Sequence, residues 1–409
     1  MKKVRLLVFS CAFSLFAVAF HIAQSSKAAA NAGERFRQRE VVVKLKRGKS
    51  ISAITARYGI SMLEKSRGSE EYRLGLPPNS DIAQKLAQMT LDSDLVFAAP
   101  NYVYQSPEVL ESSMGFVDST NPPYVSGQSP SPYYSQPQVM NLNLAGAQTY
   151  TYGGGVKVAV IDTGIDSSHP LFAGRISSDG YDFVTGGAVP TDEAGGAGYG
   201  HGTFVSGLIT LVAPNAMIMP LRAFGPDGTG TSFNISQAIR YARDHGAKVI
   251  NMSFGVLQQD DLISSALNDV YGSVYMVAAG GNDNAGTLHY PASSIDRTLA
   301  VASTASDDRK ASFSNYNLVV RASAPGADLY SAYPGNRWAS WSGTSFSTAL
   351  VTGEATLLLS INQSASQALL NQTISVSGIN IDGLNPSYSG KLGTRIDYRR
   401  AVEKMLGYW

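Results

Sequence analysis

The stretch WSGTSFSTALVTG, residues 341–353, sets Ser345 between Gly343-Thr344 and a run with apolar or small residues at helical spacing, namely Phe346, Ala349, Leu350, Gly353 and Leu357. A hydroxyl at the first turn of a helix lies beside unpaired backbone N–H groups and the positive end of the dipole. That suits an oxygen that must carry negative charge for a moment; it equally suits a plain helix N-cap. Serine attacks carbonyls only with a base beside it. Of the five histidines, only His201, in GHGTFVSG (200–207), has glycine on both sides, which leaves room for a substrate and a serine to approach. An imidazole base needs a carboxylate to hold its tautomer and stabilise the imidazolium. Asp162 closes the apolar run VKVAVID and precedes Thr163-Gly164, where a solvated turn residue would also stand. Asn282, in AAGGNDN (278–284), carries an amide that can donate to an oxyanion together with the Ser345 N–H; an Asx-type turn is its other reading. Each signal alone is weak. Together, in the order Asp, His, Ser, they describe acyl transfer.

The elements that must position these residues alternate. Apolar runs at 156–162, 217–224, 248–254, 273–280 and 299–304 read as strands. Helical patterns fall at 204–211, 236–245, 261–271 and from Ser345 onward. Continuous apolar strands alternating with helices imply a parallel sheet covered on both faces, with its site beyond the carboxyl ends of the strands. Asp162 and Asn282 stand at such ends. Residues 35–104 read as β-α-β-β-α-β, a split βαβ, ferredoxin-like α+β module. Residues 105–138, rich in Pro, Ser and Tyr, read as an exposed linker with little regular structure.

Residues 1–30 have the layout of a secretory signal: Lys2, Lys3 and Arg5, an apolar Leu6–Phe20, then small residues at Ala28–Ala30. The sole cysteine, Cys11, falls inside it, so the processed chain would have neither disulfide nor thiol nucleophile. Charge is balanced, 32 basic against 31 acidic residues, which gives no reason to expect a nucleic-acid partner. No later run is apolar for long enough to span a membrane. P-loop, CxxC and HExxH patterns are missing.

DTGIDSSHP, GHGTFVSG, KVINMSFG, AAGGN, HYPAS, SAPG and SGTSFSTALVTG resemble the signatures of the subtilisin-like serine proteases (subtilases, peptidase family S8), from about Gln138 to the C-terminus. The resemblance implies a three-layer α/β/α catalytic domain over 139–409. It implies that Asp162 orients the base, His201 is general base and acid, Ser345 the nucleophile and Asn282 the oxyanion donor. Module 35–104 resembles the family's inhibitory pro-domain, so the chain would be a self-processing pre-pro-enzyme, cut near residues 104–112. By the same resemblance Ser253-Phe254-Gly255 and Ala278-Ala279-Gly280 wall the pocket for the residue before the cleaved bond, with His289 at its floor. Gly228-Thr229-Gly230 would pair with an extended substrate backbone.

Other implications concern partners and ions. The partners would be polypeptide substrates and the chain's own pro-domain, with no nucleic acid and no membrane in a monomeric mature form, extracellular or periplasmic. Catalysis would need no cofactor. The family's common structural calcium site is expected to be absent, because Leu171 stands where an aspartate often serves that ion and only LITLVAPNA separates GHGTFVSG from the next strand. Asp192-Glu193 and Asp307-Asp308 would be the next places to look. Phe204, Phe346 and Ala349 depart from the family pattern without obvious cost, Phe204 being expected on a helix flank; Glu354 is unexpected on the nucleophile helix. Rival readings are a silent binding protein on the same fold or a processing protease with one partner. An esterase is disfavoured because Gly-x-Ser-x-Gly is missing at Ser345.

Overall fold

The computed structural model describes residues 36–109, 123–127 and 129–409, in two compact units that divide between Tyr102 and Val103. The signal-like segment and Cys11 lie outside the described residues. In the first unit β1 (Phe36–Leu45), α1 (Ile51–Tyr58), β2 (Ser61–Lys65), β3 (Glu71–Gly75), α2 (Ile82–Met89) and β4 (Leu95–Gln105) follow one another. The sheet order is β2-β3-β1-β4, all antiparallel. Gly59 ends α1 in the left-handed region at φ 62. Asp81 caps α2 through Ala83 N and Gln84 N. Val41, Val43, Ile54, Leu74 and Met89 form the core. The last residues of β4, Val103–Gln105, belong to the second unit.

The second unit begins with β5 (Tyr124–Gly127) and three short helices, α3 (Ser131–Tyr134), α4 (Pro137–Met140) and α5 (Leu144–Gln148). Next come β6 (Lys157–Asp162), β7 (Tyr181–Asp182), α6 (His201–Val212), β8 (Met217–Arg222), β9 (Thr229–Thr231) and α7 (Ser232–Asp244). They are followed by β10 (Val249–Met252), α8 (Asp261–Val270), β11 (Tyr275–Ala279), β12 (Leu299–Thr304) and β13 (Ala322–Pro325). The hairpin β14 (Leu329–Tyr333) and β15 (Arg337–Trp341) leads into α9 (Thr344–Ile361). The chain closes with α10 (Gln367–Ser377), β16 (Ile379–Asn380), β17 (Thr394–Arg395) and α11 (Tyr398–Met405).

The large sheet runs β16-β17-β13-β12-β11-β10-β6-β8-β7, parallel throughout except for β16 against β17. The fold is α/β with a subtilisin-like, mainly parallel sheet. Helix α9 is buried from Thr344 to Leu359 although it carries Ser347, Thr352, Glu354 and Thr356 among its apolar residues. It packs with α6 through Phe204, Leu208, Phe346 and Leu350 in one continuous core. Among the described residues no helix is long and apolar enough to cross a membrane.

Three expectations need correction. The helix read as 204–211 starts at His201, so the histidine is its first residue. Phe204 is not on a flank but fully buried. The described parts of 105–138 are not an exposed linker: β5 pairs with β15, and Tyr133 is buried with its hydroxyl donating to Gly207 O at 2.7 Å. Aromatic residues strung between prolines bury themselves where a groove accepts them.

Candidate active site

Strands β6, β10 and β11 run parallel, so their carboxyl ends share one edge of the sheet. Asp162 is the last residue of β6, Ser253 follows β10 and Asn282 follows β11. Helix α6 brings His201 to the same edge, and α9 brings Ser345. The glycines around His201 have a different purpose from the room for substrate expected of them. A Cβ at Gly202 would lie 2.2 Å from Gly164 O, and one at Gly200, whose φ is 88, would lie 2.2 Å from the Tyr333 ring. They let α6 start against backbone and an aromatic ring. Asp192 fixes that start, accepting from Gly200 N at 3.0 Å, Thr203 N at 3.2 Å and Thr203 Oγ1 at 2.6 Å.

The geometry places these groups as follows. His201 Nδ1 is 2.7 Å from Asp162 Oδ1, and Asp162 is buried rather than a solvated turn residue. Helix α9 has Gly343 at its N-cap position with no side-chain cap. Ser345 is therefore not a cap, and its hydroxyl is directed elsewhere. Asn282 Oδ1 accepts from Thr344 N at 2.9 Å and Thr344 Oγ1 at 2.8 Å, which turns the amide N–H groups outward to the site.

Ser345, His201 and Asn282 meet one carboxylate, Glu108, in the 3₁₀ turn Pro107–Val109. Glu108 Oε2 accepts from Ser345 Oγ at 2.7 Å and lies 3.0 Å from His201 Nε2. Glu108 Oε1 accepts from Ser345 N at 3.2 Å and from Asn282 Nδ2 at 3.1 Å. Gly343 makes the space, since a Cβ there would lie 1.9 Å from Glu108 Oε1. Glu108 and His201 are both buried. Burial by itself would lower the His201 pKa, but Asp162 and Glu108 outweigh it and push the imidazole up to about 10.

The residues before Glu108 lie extended along the expected substrate edge. Val103, Tyr104 and Gln105 pair antiparallel with Thr231, Gly230 and Thr229. Ser106 N donates to Gly228 O at 3.1 Å, and Gly255 N donates to Gln105 O at 3.2 Å. Ser253 O is 3.2 Å from Ser345 Oγ, and Phe254 packs edge-on against Tyr104 with centroids 5.9 Å apart. Ala278 and Ala279 form the buried end of β11, and Gly280 O accepts from His289 N at 3.0 Å. His289 is buried, with Nε2 at 2.5 Å from Asp283 Oδ2. Burial works to raise the Asp283 carboxyl, yet the bond to His289 holds it below the usual range.

Two residues of this cleft escaped the sequence reading. Glu108 stands in a Pro- and Ser-rich stretch without periodicity, and Asp260 reads only as a helix start. No pattern signal pointed to either. Among the described residues no group of three or more His, Cys, Asp or Glu could hold a metal. Of the acids expected to come next, Glu193 pairs with Arg222, Asp307 with Arg309 and Asp308 with Arg395.

A serine hydroxyl, an imidazole paired with a carboxylate, and two N–H donors converge at the carboxyl edge of a parallel sheet, which are the groups a serine hydrolase uses. The model of the subtilase family matches residues 153–388, and that of the fervidolysin N-terminal prodomain matches 22–101. Thermitase from Thermoactinomyces vulgaris is 38% identical over 264 residues, 60% of this chain and 92% of that one. Subtilisin Savinase from Lederbergia lenta is 34% identical over 250 residues, 58% of this chain and 88% of the other. The structure of fervidolysin from Fervidobacterium pennivorans, titled a keratinolytic enzyme related to subtilisin, superposes with a TM-score of 0.72 at 21% identity; the match covers 91% of this chain and 62% of that one. The chain belongs to the subtilase family, and it is a serine endopeptidase that carries a prodomain.

Proposed function

We propose that the chain is a secreted endopeptidase made as a self-processing pre-pro-enzyme. Ser345 Oγ attacks the substrate carbonyl carbon and passes its proton to His201 Nε2. The Nδ1–H of His201 stays on Asp162, which stabilises the imidazolium. The new oxyanion occupies the place of Glu108 Oε1, between Ser345 N–H and the Asn282 amide. Collapse expels the amine, protonated by His201, and leaves an acyl-enzyme. Water, deprotonated by the same imidazole, then releases the acid.

The observation that carries this reading is the Glu108 carboxylate, held at once by Ser345, His201 and Asn282. A carboxylate shares the charge and oxygen positions of a tetrahedral intermediate. It also accounts for inhibition. With Glu108 in place its carboxylate holds both the Ser345 hydroxyl and His201 Nε2, so the imidazole is turned to the carboxylate and not to the Ser345 proton. Release of the segment, by a cut near residues 104–112, frees base and nucleophile together.

The proposed enzyme acts as a monomer on polypeptides, without a cofactor and without the family's common calcium site. In support, Leu171 packs against the hydrophobic core and Asp192 is committed to the start of α6. His289 is paired with Asp283, so it offers no lone cation to an acidic residue before the cleaved bond. A peptide library varied at that position, run on wild type and His289→Gly, reads its actual effect.

Intact mass over time, on wild type and Ser345→Ala, tests the reading. Wild type is expected to shed an N-terminal fragment ending near 104–112, and the variant to keep it. Shedding by both would remove self-processing. Shedding by neither, together with failure of a fluorophosphonate to label Ser345, would remove the catalytic reading. Secretion is checked by expressing the chain with and without residues 1–30 and assaying the medium.

A further inference from the structure

We infer that Asp260 is a specificity-determining residue that selects tyrosine as the fourth residue before the cleaved bond. The inference rests on the proposed function and deepens it.

The pairing on β9 fixes how an extended chain lies in the cleft. Tyr104 pairs with Gly230, Gln105 O takes the Gly255 N–H, and Ser106 N reaches Gly228 O. At Pro107 the chain leaves the extended path in a 3₁₀ turn, and a side chain, that of Glu108, fills the oxyanion position. A substrate that stayed extended for one more residue would bring that residue's carbonyl to Ser345. Counting back from it, Ser106, Gln105 and Tyr104 hold the second, third and fourth places before the bond.

The fourth place is a closed pocket. Tyr104 is fully buried. Its ring meets Phe254 edge-on, and Phe254 leans on Phe224 with centroids 5.0 Å apart. At the floor lies Asp260, also fully buried, whose two oxygens have different partners. Oδ1 caps α8, accepting from Leu262 N at 2.8 Å and Ile263 N at 3.2 Å. Oδ2 faces the pocket and accepts from the Tyr104 hydroxyl at 3.3 Å. The cap fixes the carboxylate's direction, so the acceptor at the floor is rigid. Phenylalanine would fill the same walls but take one donor from a buried carboxylate that otherwise keeps its cap bonds and a hydrogen bond with Ser232. A site built around a hydrogen bond rejects the analogue that lacks it far more strongly than an apolar pocket rejects a missing methylene.

The test uses enzyme matured from the full chain. Two chromogenic peptides carry Val-Tyr-Gln-Ser or Val-Phe-Gln-Ser, followed by the residue that a library varied at the next position shows to be cut best. In wild type, kcat/KM for the tyrosine peptide is expected to exceed that for phenylalanine by about tenfold or more. In Asp260→Ser, which keeps a helix-capping oxygen but is too short to reach the phenol, the ratio is expected to fall towards one through loss on the tyrosine peptide alone. A ratio near one in wild type overturns the inference, and so does an unchanged ratio in the variant. Should Asp260→Ser fail to fold, the wild-type ratio still decides. Failure to cut any member of the library removes the proposed function, and this inference with it; cleavage of the library without preference for the tyrosine peptide removes the inference alone.

Discussion

Phe204 and Phe346 pack against each other with ring centroids 4.5 Å apart and planes inclined at 49°. Each follows a catalytic motif, Phe204 after Gly200-His201-Gly202-Thr203 and Phe346 after Gly343-Thr344-Ser345, and each departs from the pattern those motifs resemble. The departures are one feature, because a large residue on α6 meets a large residue on α9. Trp341 closes the cluster, and the His201 ring lies 5.7 Å from Phe346.

Phe346→Ala is therefore expected to destabilise the fold by about 3–5 kcal/mol, through lost burial and the cavity left behind. The double variant with Phe204→Ala should show coupling of about 0.5–1.5 kcal/mol. Urea unfolding of the full chain in a Ser345→Ala background measures both. Strictly additive losses would mean that the rings do not depend on each other.

Thr344 holds the Asn282 amide, the proposed oxyanion donor, in position through two bonds to Asn282 Oδ1. Asn282→Ala is expected to lower kcat by about 10²–10³ with little change in KM, a magnitude carried over from subtilisin itself. Thr344→Val keeps the backbone bond and loses the hydroxyl, so a smaller fall in kcat is expected. Equal kcat in Thr344→Val and wild type would show that the backbone bond alone orients the amide.

Asp162, with Glu108 adding to it, makes the chain with Glu108 seated sensitive to pH. The folded pKa of His201, about 10, lies above its ordinary value of 6.5. The pairing thus stabilises the fold fully below about pH 6.5, and that contribution is lost as pH rises through about 10. Melting temperatures of full-length Ser345→Ala should fall across this window, and Glu108→Gln should flatten the fall. In an otherwise wild-type chain, Glu108→Ala should speed fluorophosphonate labelling at neutral pH by about tenfold or more, since base and nucleophile are both freed. Unchanged labelling would mean that the backbone of the segment, not its carboxylate, does the blocking.

Glu354 is fully buried in α9, and neither carboxylate oxygen has a hydrogen-bond partner. Burial, with the charge of Asp397 adding to it, pushes the carboxyl well above the usual range. A raised acid is bound to its proton more tightly when folded. Stability is thus lost as pH climbs from the unfolded carboxylate value upward. Glu354→Met is expected to stabilise by about 1–3 kcal/mol at pH 7, with the gain growing between pH 5 and 9 in chemical denaturation. A gain that does not change with pH would mean that packing, and not ionisation, is responsible.

The sequence exposed Asp162, His201, Ser345 and Asn282 because each has local signs: a strand tip, flanking glycines, a helix start. Parallel strands announce themselves by unbroken apolar runs, so β6, β10 and β11 were readable within a residue or two. Tertiary partnership leaves no such mark. Glu108 matters because β4 carries it to a place set by β9, more than a hundred residues further along the chain. Tyr133 looks like a linker residue until Gly207 O is found beside it. Asp260 shows one capping oxygen in sequence, whereas its second oxygen acquires meaning only when Tyr104 arrives. The glycines beside His201 drew notice for room that they do not provide, since their need comes from Gly164 O and the Tyr333 ring.

The pairing of Val103–Gln105 with β9 also bears on how the protein survives its own synthesis. A sheet edge ready to take any extended chain is a template for aggregation as much as for catalysis. While the segment is seated, neighbouring unfolded copies find no open backbone there. On the proposed self-processing, the edge would become adhesive only after the cut, when the chain has folded and no longer offers it an unfolded partner of its own kind.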